Sequence, residues 1–137
     1  MRLAKPRIAP VPQEQWTAEQ AEIANPILER HGKLLNIFRT QLTHPEAMRG
    51  FLGFGSYVLS KRNTLAPRER ELVVLRTGYL CRSGYEWTQH RRIGLNAGLT
   101  EDEVERIKQG PDAAGWSAAD AALLRATDER HADQFVG

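Results

Sequence analysis

The run of residues 83–98 constrains the fold more than any other. Read as a helix, it places Glu86, His90, Ile93 and Ala97 on one face, at i, i+4, i+7 and i+11. A carboxylate and an imidazole one turn apart, above an apolar stripe, are rarely buried unless they are paired. A neighbouring element must therefore supply a partner, or the pair must satisfy itself.

The neighbours on either side also read as helices. Thr17 and Gln20 form a capping box that starts a helix over 17–31, which Pro26 kinks or divides and Gly32 ends. A short helix follows, with Leu34, Leu35, Ile37, Phe38 and Leu42 as core. Thr43 and Glu46 form the next cap, with Leu42 and Ala47 at its staple positions and Pro45 in the first turn. That helix carries Met48, Phe51, Leu52, Phe54, Tyr57, Val58 and Leu59 and ends within 59–62. Its Gly50, Gly53 and Gly55 are read as points of close helix packing. Gly53-Phe54-Gly55 follows no strand and so lacks the context of a nucleotide loop.

Pro67 at the first helical position opens a helix over 67–82. The block Leu72-Val73-Val74-Leu75 has the composition of a strand. Its charged first turn and the length of the whole segment favour a buried helix. Gly98 closes the helix that carries His90. Thr100 and Glu103 then form a capping box, with Leu99 and Val104 as staple, for a short helix ending at Gly110-Pro111. A last helix starts at Trp116-Ser117, runs to about residue 134 and turns Leu123, Leu124 and Ala126 inward. No stretch alternates as a strand does. The expected fold is an all-α bundle of about six to seven helices without a sheet. Residues 1–15, with Pro6, Pro10 and Pro12, form an extended arm, and residues 16–137 form one domain.

Composition narrows the function classes. The single Cys81 excludes an internal disulfide framework. A net charge of +2, with dispersed basic residues, does not suggest a nucleic-acid surface. No apolar run reaches the length of a membrane span, and the first residues lack the apolar core of a signal peptide, so a cytoplasmic protein is expected. Arg68, Arg70, Arg76, Arg82, Arg91 and Arg92 concentrate mid-chain. They read as solvated faces, with one or two able to bind an anionic substrate.

Three ionisable groups fall in one helical hairpin: Glu71 on its first helix, Glu86 and His90 on its second. If the two helices pack antiparallel, a carboxylate of one can hold one imidazole nitrogen and leave the other as acid or base. A metal site would need a third His or Cys at suitable spacing, which the sequence does not offer; no metal and no cofactor are expected. The alternative is purely structural, with His90 satisfied by Glu86 and Glu71 solvated in an early turn. Tyr79, Tyr85 and Trp87 either pack or wall a water-poor pocket.

The order of an Arg-Glu-Leu-Val helix (residues 70–73), a Glu-Trp-x-x-His helix (86–90) and Ala-Gly-Leu-Thr-x-x-Glu (97–103) resembles the carboxymuconolactone decarboxylase family, which includes the alkyl hydroperoxidase D proteins. The resemblance covers about residues 50–133. It implies an all-helical, homo-oligomeric bundle, as a trimer or as a hexamer built from trimers or dimers. Members of this type usually continue with further helices, so the chain reads as either a short variant or a fragment. The peroxidase branch carries a Cys pair where this chain has Ser83 and Glu86, so disulfide chemistry is lost; His90 and Glu71 match its His and preceding Glu. Cys81 has no resolving partner. It reads as a small buried hydrophobe near a helix end, and its redox use would be limited to a sulfenic acid cycled by an external thiol. The decarboxylase branch implies cofactor-free loss of CO2 from a small unsaturated lactone acid, with His90 as proton donor, Glu86 as its orienting or relaying partner and Glu71 as a second relay member. Arg76 or Arg91 would bind the substrate carboxylate. Three classes thus remain open: a lyase or related proton-transfer enzyme, a peroxidase-like antioxidant protein using Cys81, and a non-catalytic oligomeric scaffold.

Overall fold

The computed structural model describes residues 5–60 and 62–137. Among them are seven α-helices and one short 3-10 turn, Gln13–Gln15, with no strand. The helices are α1 (Ala18–His31), α2 (Asn36–Gln41), α3 (Pro45–Val58), α4 (Pro67–Leu80), α5 (Gly84–Asn96), α6 (Glu101–Ile107) and α7 (Ala118–Ala132). No helix among the described residues is long and apolar enough to cross a membrane. The chain gathers into two compact units, one ending at Ser60 and one beginning at residue 61. Residues 1–4 of the expected arm, and Lys61 near the expected end of α3, lie outside the described residues.

In the first unit, α1 starts at the expected capping box: Thr17 Oγ1 accepts from Gln20 N–H, and the Gln20 side chain accepts from Thr17 N–H. Gly32 ends it in the left-handed region at φ 69°. Pro26 neither divides the helix nor ends it. It lies on the exposed side with Glu22, whose carbonyl loses its helical donor where water can replace it. The core gathers Ala24, Leu42 and Met48, with Val11, Trp16, Ile23, Ile27, Leu34, Phe38 and Leu52 packed around them. Residues before α1 are tied to this unit: Val11 N–H donates to the Arg39 carbonyl at 3.0 Å, and Val11 O accepts from Trp16 Nε1 and Arg39 Nε.

Two expectations for α3 need correction. Its N-cap is His44 rather than Thr43, whose hydroxyl donates back to the Thr40 carbonyl at 2.8 Å and so closes the previous turn. Gly50 and Gly53 are not close-packing points. Among the described residues, nothing apart from the local backbone of α3 lies within 4 Å of where a Cβ would stand on either.

The second unit is built around α4, which packs against α5, α6 and α7. Leu72 and Leu75 of α4, Leu99, Val104 and Ile107 around α6, and Leu124 of α7 form the core, with Trp87, Leu95, Trp116 and Leu123 against it. The strand-like block Leu72–Leu75 is thus helical, and its burial accounts for its apolar run. α4 stops at Leu80, two residues short of the expected end. Cys81 caps it and Arg82 takes a positive φ of 54°, which turns the chain into α5. Gly98, at φ 105°, lets the chain leave α5 towards the Thr100–Glu103 capping box, which forms as expected.

Two arginines of α4 hold the unit together by charge. Arg68 reaches Asp120, at the start of α7, at 2.9 Å, and also pairs with Glu103 of α6. Arg76 grips Asp128 with two bonds, Nε to Oδ1 at 2.6 Å and Nη2 to Oδ2 at 2.7 Å. Both α4–α7 pairs span 52 residues, so α4 and α7 run parallel, cross-linked at two levels.

Candidate active site

α4 and α5 lie antiparallel, joined by the three residues 81–83. The approach is close because two glycines face the partner helix. A Cβ on Gly78 would stand 3.5 Å from Glu86 Cβ and 3.7 Å from Trp87 N. A Cβ on Gly94 would stand 2.9 Å from Leu99 Cδ1, 3.3 Å from Leu75 Cδ1 and 3.5 Å from Glu71 Cβ. Gly94 therefore lets α5 settle against the segment of α4 that carries Glu71, and His90 lies one turn before it.

Glu71 does not point to water. It is fully buried, and its Oε2 lies 2.7 Å from His90 Nδ1. The other ring nitrogen, Nε2, lies 3.5 Å from Glu86 Oε2. Exposure rises along the series, with side chains 0% exposed at Glu71, 13% at His90 and 39% at Glu86. The three groups form a line from the interior to solvent. From sequence, Glu86 was expected to orient the imidazole and Glu71 to act behind it. The short contact instead belongs to Glu71, and Glu86 sits on the solvent side of the ring.

The electrostatics follow from this geometry. The hydrogen bond to Glu71 raises the His90 pKa above its ordinary value of 6.5. Burial opposes that rise; the charges of Glu71 and Glu86 add to it, and that of Arg70 subtracts from it. With Nδ1 committed to a buried carboxylate, Nε2 is the nitrogen able to exchange a proton with a ligand or with Glu86. Glu71 Oε1 has no hydrogen-bond partner among the described residues, and Arg70 Nε lies 3.6 Å from it.

The other expected site residues are placed differently. Arg76 is not available to a substrate. It is 7% exposed, grips Asp128 and donates from Nη1 to the carbonyls of Ile107 at 2.8 Å and Lys108 at 3.1 Å. Arg91 is exposed and pairs with Glu101. Trp87 packs on the core, 6.0 Å ring to ring from Tyr79, with Lys108 Nζ 5.2 Å from its centroid. Tyr79 and Tyr85 are exposed. Cys81 is exposed rather than buried, with Sγ 3.8 Å from His131 Nδ1, because it caps α4 at the end of the helix instead of facing the core. Among the described residues no group of three or more His, Cys, Asp or Glu is arranged to hold a metal ion.

Sequence reasoning did not find Arg70 as the cation of the site, or Gly94 as the contact that admits Glu71. The signal for Arg70 was its position next to Glu71 in the Arg-Glu-Leu-Val run. For Gly94 it was a glycine inside a helix one turn beyond His90.

No curated protein and no solved structure matches the chain. The family model for the carboxymuconolactone decarboxylase family matches residues 45–129, which span α3 to α6 and the greater part of α7. With that match over more than half of its length, the chain belongs to the carboxymuconolactone decarboxylase family.

Proposed function

We propose that the chain is a cofactor-independent lyase or related proton-transfer enzyme acting on a small unsaturated lactone or acid, with His90 as the proton donor. The observation that carries this reading is the 2.7 Å contact between His90 Nδ1 and the fully buried Glu71, which leaves Nε2 on the solvent side beside Glu86. In the decarboxylation of an unsaturated lactone acid, the bond to the carboxylate carbon breaks and CO2 leaves. The electron pair stays on the lactone as a dienolate, and a proton must reach carbon. His90 Nε2 delivers that proton, the imidazolium having been stabilised by Glu71, and Glu86 returns one from solvent. Family membership supports the same chemistry.

The test is a panel of small unsaturated lactone acids assayed for CO2 release. Turnover by the wild type that His90→Gln abolishes while the helical content stays intact supports the reading. Equal turnover by His90→Gln overturns it.

One observation favours a second reading, a thiol peroxidase: Cys81 is exposed beside His131. In it the thiolate attacks the peroxide oxygen, the O–O bond breaks, and an external thiol reduces the sulfenic acid. Cys81 lies ten residues beyond Glu71, about 15 Å along the axis of α4, so His90 does not serve it. Peroxide turnover that survives Cys81→Ala excludes it. Self-association belongs to the main proposal: α3 exposes Phe51 and Phe54 on one face, and light scattering of the full chain should give a mass above one subunit.

A further inference from the structure

We infer that Arg70 is a positioning residue of this site: its guanidinium, beside the second oxygen of Glu71, tunes the proton affinity of His90. The inference deepens the reading of His90 as a proton donor and rests on it only for its consequence in turnover.

The two oxygens of Glu71 have different neighbours. Oε2 meets His90 Nδ1 at 2.7 Å, and Oε1 lies 3.6 Å from Arg70 Nε. Glu71 is fully buried and Arg70 is 9% exposed, so little water screens either group. A buried carboxylate facing only an imidazole would be strongly disfavoured whenever that imidazole is neutral. A cation 3.6 Å from the other oxygen lowers that penalty, because the carboxylate keeps a nearby counter-charge in both protonation states of His90.

Among the described residues, three charged groups face the imidazole: Glu71 and Arg70 from α4, and Glu86 from its own helix α5. The two carboxylates favour the protonated ring and Arg70 opposes it. Arg70 stands beside the carboxylate that holds Nδ1, so its charge opposes protonation of the ring through a short, poorly screened path. Arg70 thereby keeps the imidazolium from becoming too weak an acid to release its proton to carbon. Burial and placement both separate this role from that of a surface ion pair such as Arg91–Glu101.

The test follows the ring nitrogens of His90 by NMR titration in the absence of any substrate, in the wild type, Arg70→Gln and Arg70→Lys, with the signal assigned from His90→Gln. Arg70→Gln should raise the His90 midpoint measurably. Arg70→Lys, which restores a cation, should hold it near the wild-type value. An unchanged or lowered midpoint in Arg70→Gln overturns the inference. If Arg70→Gln does not fold, Arg70→Met fills the same space without charge and carries the same expectation. Should neither neutral variant fold, with Arg70→Lys folded but its His90 midpoint displaced as far as Glu71→Gln displaces it, Arg70 is a packing residue and the inference fails. Since no turnover is read, failure here leaves the proton-transfer reading standing. A shifted midpoint with no effect of His90→Gln on turnover would instead leave Arg70's role standing and remove that reading.

Discussion

Replacing Glu71 by Gln removes one charge and keeps the shape of the side chain, so it isolates what the buried carboxylate does for His90. In the wild type, His90 Nδ1 meets Glu71 Oε2 at 2.7 Å, and the carboxylate is fully buried. A hydrogen bond to an ionised partner contributes about 1.5–3 kcal/mol, against about 0.5–1.5 for a neutral one. The amide can still accept from Nδ1–H, so the loss is the difference, about 1–1.5 kcal/mol of imidazolium stabilisation. At about 1.4 kcal/mol per pH unit, the His90 midpoint should fall by about one unit. The change also appears in stability. A histidine whose folded pKa is raised contributes stability that is fully present below its unfolded value of 6.5 and is lost as pH rises through the folded value. Urea unfolding of wild type and Glu71→Gln should therefore differ more at pH 6 than at pH 9, by about 1 kcal/mol. Two results would refute the reasoning: a stability difference independent of pH, or a His90 titration that the substitution leaves in place.

Gly94→Ala puts a methyl group 2.9 Å from Leu99 Cδ1 and 3.3 Å from Leu75 Cδ1. Overpacking of about 1–3 kcal/mol should outweigh the roughly 1 kcal/mol gain in helix propensity, and urea unfolding should show a net loss. Gly78→Ala makes only ordinary contacts at 3.5 Å and beyond, so the same measurement should show no loss. Arg76→Ala leaves Asp128 with its buried partner gone, and a loss of about 3–5 kcal/mol is expected, read from the denaturation midpoint; Arg76→Met should lose less. The hydrogen bond from Arg68 holds the Asp120 carboxyl below its usual value of 3.8. Burial alone would raise Glu103, but its bonds to Thr100 and Arg68 outweigh that and hold it below 4.5. These two carboxylates contribute stability above their unfolded values, and it is lost as pH falls through the folded ones. Asp120→Asn should accordingly destabilise the chain at pH 7, with the difference from wild type shrinking towards pH 2 in urea melts.

What could be read from sequence divides along physical lines. Helix starts written into local chemistry were legible: the capping boxes at Thr17 and Thr100 and the prolines at the heads of α3 and α4 form where their residues require them. So was the antiparallel hairpin that brings Glu71 to His90, because two polar groups on inward faces need each other. The cap of α3 was misplaced by one residue, since Thr43 had an equally local alternative in the Thr40 carbonyl. The arginines were not sorted correctly. Arg68 and Arg76 are eight residues apart, as are Asp120 and Asp128, but only the parallel docking of α4 and α7 turns that spacing into two ion pairs. Arg70 was legible as a charge but not as a neighbour of Glu71, because adjacent helical residues do not ordinarily face each other. The exposure of Cys81 depends on α4 stopping at Leu80, and helix ends are set by the turn that follows as much as by the helix itself.

The central claim is that His90 gives a proton to carbon. It is tested most directly by running the reaction of an unsaturated lactone acid in deuterated water and reading the product by proton NMR and mass. Wild-type protein should release CO2 and place one deuterium on a ring carbon of the dienolate, and His90→Gln, with its fold intact, should do neither above the uncatalysed rate. Equal deuterium incorporation by wild type and His90→Gln would contradict the account, as would CO2 release that leaves no deuterium on carbon.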